Sequence, residues 1–167
     1  NGAVLKDESD GAVAFGYGAG TTNQGLKSVA IGYGAGNDNQ NYLSVAIGDN
    51  AGGINQSSST VAMGSYAGNT GQGTYGIAIG PGAGQNNQGN FGIAIGAGAG
   101  KNSQFPNSIV INASGSDLNN TTYNGLFINP VRNDNSNTTY GLYYNSGTSE
   151  ITYTNATAGP KIGRAHV

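Results

Sequence analysis

Glycine-rich runs are the first residues in this chain whose type and spacing could do chemistry. GYGAG (residues 32–36) and GPGAG (residues 80–84) superficially match loops that cradle a phosphate. Such a loop needs a preceding strand and a following helix whose N-terminus faces the phosphate. No helix-forming stretch follows either run, and no Lys-Ser/Thr pair completes a nucleotide-binding pattern. We therefore expect both runs to be turns of a repeat.

Catalytic and metal-binding residue types are sparse. Catalysis needs a base, a nucleophile with a partner, or a metal site, yet His166 is the only histidine and the 8 acidic residues are scattered. A regular calcium-binding roll needs an acidic residue in every turn, but neither Asp38 nor Asp49 recurs sixteen residues later. The sequence predicts no enzyme, no cofactor and no metal site, and a calcium-binding roll is kept as a less favoured alternative.

Ice binding is the other alternative that the composition leaves open. It would need a flat, exposed column of Thr or similar side chains, and the threonines of this chain do not share one column. Asparagines are better ordered, because four of them recur at multiples of sixteen residues: Asn23, Asn39, Asn55 and Asn87.

The composition excludes several further classes. The chain has 167 residues, 31 of them Gly, with no Cys, 8% charged residues and a formal net charge of -2. Disulfides and thiolate metal sites are excluded, and six scattered basic residues form no patch for nucleic acid. No run is long and apolar enough for membrane insertion.

Repetition is the strongest signal. A large-small-large apolar triplet starts at residues 13, 29, 45, 61, 77, 93 and 109, always sixteen residues apart, and Gly follows the first six copies. This alternation predicts short strands with the large residues on the buried face. The predicted core columns are Val29, Ile31, Val45, Ile47, Val61, Met63, Ile77, Ile79, Ile93 and Ile95.

A glutamine column runs in phase with the triplets. The chain holds seven Gln, and six of them recur every sixteen residues. If equivalent residues stack about 4.8 Å apart, their amides can bond from rung to rung. The predicted amide ladder comprises Gln24, Gln40, Gln56, Gln72, Gln88 and Gln104.

These patterns predict an all-β fold, a parallel β-roll or β-helix solenoid of sixteen-residue coils. The unit is too short for a helix-containing repeat or a propeller blade, and its density of Gly and Asn disfavours helix. Within one coil we expect the triplet strand, a glycine turn, a second short stretch around a recurring Ala-Gly pair, and a turn through the Asn/Gly/Gln segment.

The phrase SVAIG, at residues 28–32 and 44–48, has variants at 60–64, 76–80 and 92–96. It resembles the head repeat of trimeric autotransporter adhesins, the YadA-like family. The resemblance implies a left-handed parallel β-roll, three chains side by side, and a fibre that presents an adhesive surface. The usual unit of that family is shorter than sixteen residues, so the additional turn residues are expected to protrude.

The sequence changes character after the repeats. Residues 126–132, 141–145 and 150–154 predict three short strands separated by Asn/Ser/Thr turns, and this segment resembles fibre-like proteins of large DNA viruses and phages. The predicted organisation is an N-terminal segment (1–11), the roll (12–112), a β-rich neck (113–160) and a tail (161–167). The tail, KIGRAHV, matches a translated sequencing adapter and is expected to be non-native.

The function expected from these features is that of a structural fibre or adhesin fragment. It would mediate extracellular attachment to cells or glycans by repetitive display, as a homotrimer, on a bacterial surface or a virion fibre. The alternative is a pure structural spacer of a viral or phage fibre. Aromatic side chains interrupt the repeat and suit contact with a host receptor or glycan. The candidate surface contacts are Tyr17, Tyr33, Tyr42, Tyr66, Tyr75 and Phe91.

Overall fold

The computed structural model describes residues 11–132 and 141–154. The chain divides into two compact units, residues 1–130 and 131–167. Every element in the described ranges is a β-strand or an isolated bridge, and none is a helix. The strands are β1 (Val13–Phe15), β2 (Val29–Ile31), β3 (Asp38–Gln40), β4 (Val45–Ile47), β5 (Ile54–Gln56), β6 (Val61–Met63), β7 (Ile77–Ile79), β8 (Ile93–Ile95), β9 (Ser108–Asn112), β10 (Gly125–Asn129), β11 (Gly141–Asn145) and β12 (Glu150–Thr154).

The apolar triplets form one wall of a solenoid. Eight strands make a parallel sheet in the order β1-β2-β4-β6-β7-β8-β9-β10. From β1 to β9 every residue pairs with the one sixteen positions later; Ala30, for example, pairs with Ala46 and Ala46 with Ala62. The predicted all-β parallel solenoid of sixteen-residue coils is confirmed.

The second wall lies in a different place from the one we predicted. Strands β3 and β5 pair in parallel, and isolated parallel bridges such as Thr70 to Asn86 and Asn86 to Asn102 continue their ladder. This wall is therefore built by the Asn/Gln segment. The Ala-Gly pair, expected to be the returning stretch, is instead part of the turn that follows the triplet.

Close main-chain approach explains the glycine after each triplet. Gly32 has a φ of 127°, and a Cβ placed on it would lie 2.5 Å from the carbonyl oxygen of Gly48 in the next rung. A side chain is excluded there by both the backbone conformation and the contact. The main chain continues to bond across this turn, where Gly36 N–H donates to the Ala51 carbonyl at 2.9 Å.

The core consists of the small residues of the coil, so the predicted core columns are wrong. The central alanine of each triplet is fully buried, as in Ala30 and Ala46, and so is the alanine of each Ala-Gly pair from Ala35 onward. The large residues on either side point outward and are half-buried or exposed. This correction applies to Val29, Ile31, Val45, Ile47, Val61, Met63, Ile77, Ile79, Ile93 and Ile95.

The physical reason for this reversal is the narrowness of the coil. Sixteen residues close two walls and two turns with little space between them, and a buried glutamine side chain already occupies part of that space. Adding methylene groups to a well-packed interior forces side chains off their rotamers and moves the backbone. Alanine fits, and the alternation of the strand then places Val and Ile on the outer face.

The glutamine column is half-buried at Gln24, fully buried from Gln40 onward, and holds the two walls together. In each of the six glutamines Nε2 donates to the carbonyl of the triplet residue eleven positions earlier, as from Gln72 to Val61 at 2.8 Å. Amide bonds between rungs occur at two steps, from Gln56 to Gln72 at 3.2 Å and from Gln88 to Gln104 at 3.1 Å. The predicted ladder from rung to rung is thus interrupted. The hydrogen bond that recurs in every coil is the one from the glutamine amide to the triplet carbonyl.

The roll extends beyond residue 112, where we placed its boundary. β10 pairs with β9 in parallel, with Gly125 opposite Ser108, so residues up to 129 belong to the same sheet. In these last coils the central position of the triplet enlarges, because Val110 replaces alanine and the partly buried Phe127 packs against the core. The predicted neck therefore does not begin at 113.

The second compact unit contains a single described hairpin. β11 and β12 are antiparallel, with Tyr143 opposite Thr152, and Asn145 Oδ1 accepts a hydrogen bond from Gly147 N–H at 2.9 Å within the turn. Two of the predicted neck strands are present here. The N-terminal segment up to residue 10 and the predicted tail lie outside the described residues.

Enlarging the inner alanine should destabilise the roll far more than changing its outer neighbour. We expect Ala62→Leu to lower the free energy of unfolding by about 1–3 kcal/mol because the core has no room for the added carbons. Met63→Leu, one residue away on the outer face, should change it by less than about 0.5 kcal/mol. Urea unfolding followed by far-ultraviolet circular dichroism measures both, and equal losses would contradict the burial of alanine.

Removing one buried amide should also be costly. In Gln72→Leu the carbonyls of Val61 and Gly76 lose the Nε2 donor that lies 2.8 and 3.2 Å away, and the Gly76 carbonyl keeps the Val61 N–H at 3.0 Å. Because these carbonyls would stay buried, we expect a loss of about 1–3 kcal/mol of unfolding free energy. Gln85→Leu is the matched control, since Gln85 lies outside the column, and it should cost less than about 0.5 kcal/mol. A neutral Gln72→Leu would show that the column is not structural.

Candidate attachment surface

The outer face of the triplet sheet is a continuous apolar surface. The first and third residue of every triplet point away from the core, and the third residues from Met63 onward are 38–40% exposed. Each column stacks like residues over seven rungs. Within residues 12–112 the only charged side chains are Lys27, Asp38, Asp49 and Lys101, and none of them is in a triplet. We call this surface the triplet face.

The six aromatic candidates all lie at the surface, in two separate groups. Tyr17 and Tyr33 stack with ring centroids 5.5 Å apart on the turn after the triplet, where Tyr66 also lies. Tyr75 and Phe91 stack at 5.1 Å on the turn before the triplet. Tyr42 lies on that second turn, one column away and 54% exposed. The structure therefore places three of the predicted contacts on one turn, around one groove, and the other three on the opposite turn, where Tyr75 stacks with Phe91.

A groove of about 390 Å³ lies on the first of these turns. We call it the aromatic furrow. Its floor contains Gly18 and Gly34, whose φ angles of 68° and 59° are left-handed. A Cβ on Gly34 would lie 2.5 Å from Asn50 Oδ1, so glycine at this position leaves room for the asparagine amide of the next rung. The furrow is lined by Tyr17, Tyr33, Tyr66, Asn37, Asn50 and Asn69.

Tyr66 departs from the column in which it lies. The other rungs carry Gly18, Gly34, Asn50 or a later glycine at this position, all with positive φ. Tyr66 has the same left-handed backbone, with a φ of 55°. A bulky residue in this conformation costs about 1–2 kcal/mol. On the opposite turn, Leu43, Tyr75 and Phe91 have the same left-handed backbone.

The asparagines of the furrow are held in place by the main chain. Asn37 Nδ2 donates to the Gly18 carbonyl at 2.8 Å, and Asn69 Nδ2 donates to the Asn50 carbonyl at 2.7 Å. Each amide thereby bridges to an earlier coil. In the described ranges no hydrogen bond to Asn37 Oδ1 occurs, so a fixed acceptor faces no protein donor.

A second groove of about 370 Å³ continues from Tyr66 toward the end of the roll. It is lined by Ser65, Pro81 and Gln85, and it ends at Lys101 and Asp117. The Lys101 ammonium lies 3.0 Å from an Asp117 carboxylate oxygen. Both side chains are partly exposed, so this pair adds little stability.

An exposed asparagine ladder runs along the second wall. Asn23 Nδ2 donates to Asn39 Oδ1 at 2.9 Å, and Asn39 Nδ2 donates to Asn55 Oδ1 at 3.1 Å. A further bond joins Asn86 to Asn102 at 2.9 Å, in the neighbouring column. The sequence signals the first column by its spacing alone. These amides bond to one another, which makes them part of the scaffold.

The described residues contain no group of three His, Cys, Asp or Glu side chains placed to hold a metal ion. The same part of the chain contains no helix that could cross a membrane. Comparison with known proteins gave no match to any family model, curated protein or solved structure. The surface itself must therefore carry any functional argument.

The strain at Tyr66 gives a stability prediction. We expect Tyr66→Asn to raise the free energy of unfolding by about 0.5–1 kcal/mol, because asparagine tolerates the left-handed conformation that tyrosine resists. Tyr33→Asn is the matched control on the same surface, where φ is not positive, and it should lower stability through lost stacking. Urea midpoints compare the two variants. A destabilised Tyr66→Asn would show that packing outweighs strain at this position.

Proposed function

We propose that this chain is a fibre or adhesin segment that works outside the cell, self-associates as a homotrimer through its triplet face, and attaches to host cells or glycans by repeated display of one surface. Its native setting would be a bacterial cell surface or a virion fibre. The resemblance of the SVAIG repeat to trimeric adhesin heads supports the trimer and the setting. The solenoid supplies a rigid support.

The observation that carries the proposal is the uncovered triplet face. Sheets made only of parallel strands almost always have both faces covered, and here the inner face packs on the core while the outer face does not. Exposed apolar patches larger than a few hundred Å² mark interaction sites on soluble proteins. A surface made of two columns of Val, Ile, Met and Phe over seven rungs fits a second and third copy of the same surface.

Self-association would also give the chain its means of attachment. Three copies side by side present three sets of the same turns, and linked weak sites bind more tightly together than alone. A pure spacer would share the triplet face and the trimer, but it would bind no surface. The two functions therefore differ in binding and not in assembly.

Charges introduced on the triplet face should separate the chains without unfolding them. We expect the wild-type chain to sediment as a trimer at micromolar concentration, and the Ile47→Lys, Ile79→Lys double variant to sediment as a monomer. Both side chains point outward, so the circular dichroism spectrum of the variant should keep its β content. Burying an unpaired charge between chains is what prevents association.

The Thr22→Lys, Ile54→Lys double variant is the matched control. It adds the same charge on exposed positions of the opposite wall and should remain trimeric. A monomeric or dimeric wild-type chain would contradict the proposed trimer. Loss of the trimer in the control would show that added charge, and not the triplet face, is responsible.

A further inference from the structure

We infer that the aromatic furrow is a binding site for an uncharged oligosaccharide. This inference rests on the proposed function, because it names the ligand class and the residues through which attachment occurs. Tyr17, Tyr33 and Tyr66 would contact the sugar rings, while Asn37 would contact their hydroxyls. The furrow is separate from the triplet face, which the proposed trimer uses.

The dimensions of the furrow suit a small ligand. Its volume of about 390 Å³ lies within the range of pockets that bind compact organic molecules, about 300–1,000 Å³. A folded protein partner would need a far larger surface, about 800 Å² on each side. Along the rungs, Tyr17 and Tyr33 come before the amide of Asn50 and Tyr66 comes after it, so a ligand lying along the furrow would meet rings on both sides of that amide.

The aromatic rings supply the apolar contacts that a sugar needs. The C–H face of a pyranose packs on an aromatic ring while its hydroxyls remain available for hydrogen bonds. Tyr17 and Tyr33 are 64% and 59% exposed, and their hydroxyls make no hydrogen bond within the described part of the chain. Rigid, amphipathic tyrosines offer contact area at a low cost in conformational entropy.

The polar groups of the furrow are already in place. The hydrogen bond from Asn37 Nδ2 to the Gly18 carbonyl, 2.8 Å long, fixes the side chain, so its Oδ1 can accept a hydroxyl proton without reorganisation. Asn69 is held in the same way by its 2.7 Å bond to Asn50. Sites whose polar groups are positioned by their own neighbours bind with less entropic cost.

The charge of the furrow selects a neutral ligand. The lining contains no Asp, Glu, Lys, Arg or His. Two carboxylates adjoin it along the chain, Asp38 beside Asn37 and Asp49 beside Asn50, and Asp49 accepts a hydrogen bond from Asn50 at 2.9 Å. A sulfated or sialylated glycan would find no cation in the furrow.

Tyr66 interrupts the column of glycine and asparagine that the other rungs carry on this turn. Glycine or asparagine would fit its left-handed backbone without strain, as they do in the other rungs. The chain instead places an aromatic ring there, at the point where the two grooves meet. Tyr75 and Phe91 on the opposite turn share the left-handed backbone, so the feature that favours a ligand here is the position of the Tyr66 ring in the lining of both grooves.

The test is binding of the fluorescently labelled full chain to immobilised tetrasaccharides of β-glucan, α-mannan and β-galactan, with sialylated and sulfated oligosaccharides on the same array. We expect binding to at least one neutral glycan, unchanged between 50 mM and 500 mM salt because no ion pair is involved. Tyr33→Asn and Tyr66→Asn should each lower the affinity for that glycan about three- to tenfold, measured by titration calorimetry.

The matched control is Tyr75→Asn, which removes an equally exposed, stacked aromatic on the opposite turn and should leave the affinity unchanged. Sedimentation and circular dichroism of every variant establish that assembly and fold are retained. If Tyr33→Asn and Tyr75→Asn lower the glycan affinity equally, or if neither lowers it, the furrow is not the binding site. Attachment to glycans would remain possible through another surface. If the wild-type chain is a trimer but binds no neutral glycan, the furrow is not a glycan site and the spacer function is favoured. If the wild-type chain is a monomer, the proposed trimer is contradicted. The glycan-binding results then decide the role of the furrow on their own.

Discussion

Main-chain hydrogen bonding between residues sixteen positions apart is the interaction on which the rest of the structure depends. It sets the distance between rungs at about 4.8 Å and places every side chain directly against its equivalent. No coil can adjust its backbone independently, because its donors and acceptors belong to the coils above and below. The strict columns of Ala, Gly and Gln follow from this constraint, since each tolerated residue must suit the same contact in every rung.

The period and the fold class are visible in the sequence because stacking makes them repeat. The side that faces inward is harder to predict. An alternating triplet offers two faces, and assigning the larger residues to the core is the ordinary rule for a sheet. Here the interior is too thin for that rule. One available signal is uniformity: the central residue is Ala14, Ala30, Ala46, Ala62, Ala78 and Ala94 in succession, while the outer residues vary among Val, Ile, Met and Phe.

The aromatic residues could be assigned to the surface from the sequence because they interrupt the columns. Which of them lie next to one another could not be predicted from the sequence. Tyr17 and Tyr33 share a column, and Tyr66 lies one position further along the turn. Only the three-dimensional path of the turn shows that these three line one groove. The left-handed backbone of Tyr66 is also not visible in the Tyr66 residue type itself. The available signal is the glycine or asparagine at the equivalent position of the other rungs.

The two outward surfaces have different physical characters. The triplet face is apolar, regular and free of charge, as expected of a surface that meets copies of itself. The aromatic furrow is irregular, and its rings and amides occur in only some rungs. Regular columns favour assembly because every rung contributes the same contact, whereas a ligand site needs a local departure from the repeat.

The enlargement of the core at its C-terminal end has a genetic consequence. All coils from β2 to β8 share one interior of two alanines and one glutamine, so a unit of forty-eight nucleotides could be duplicated or deleted there without any repacking. Val110 pairs with Ala94 on one side and with Phe127 on the other, so its coil joins the alanine coils to the larger terminal strand. Recombination between repeats would therefore vary the number of middle coils among descendants of this gene, while the terminal pair would be inherited as one indivisible block.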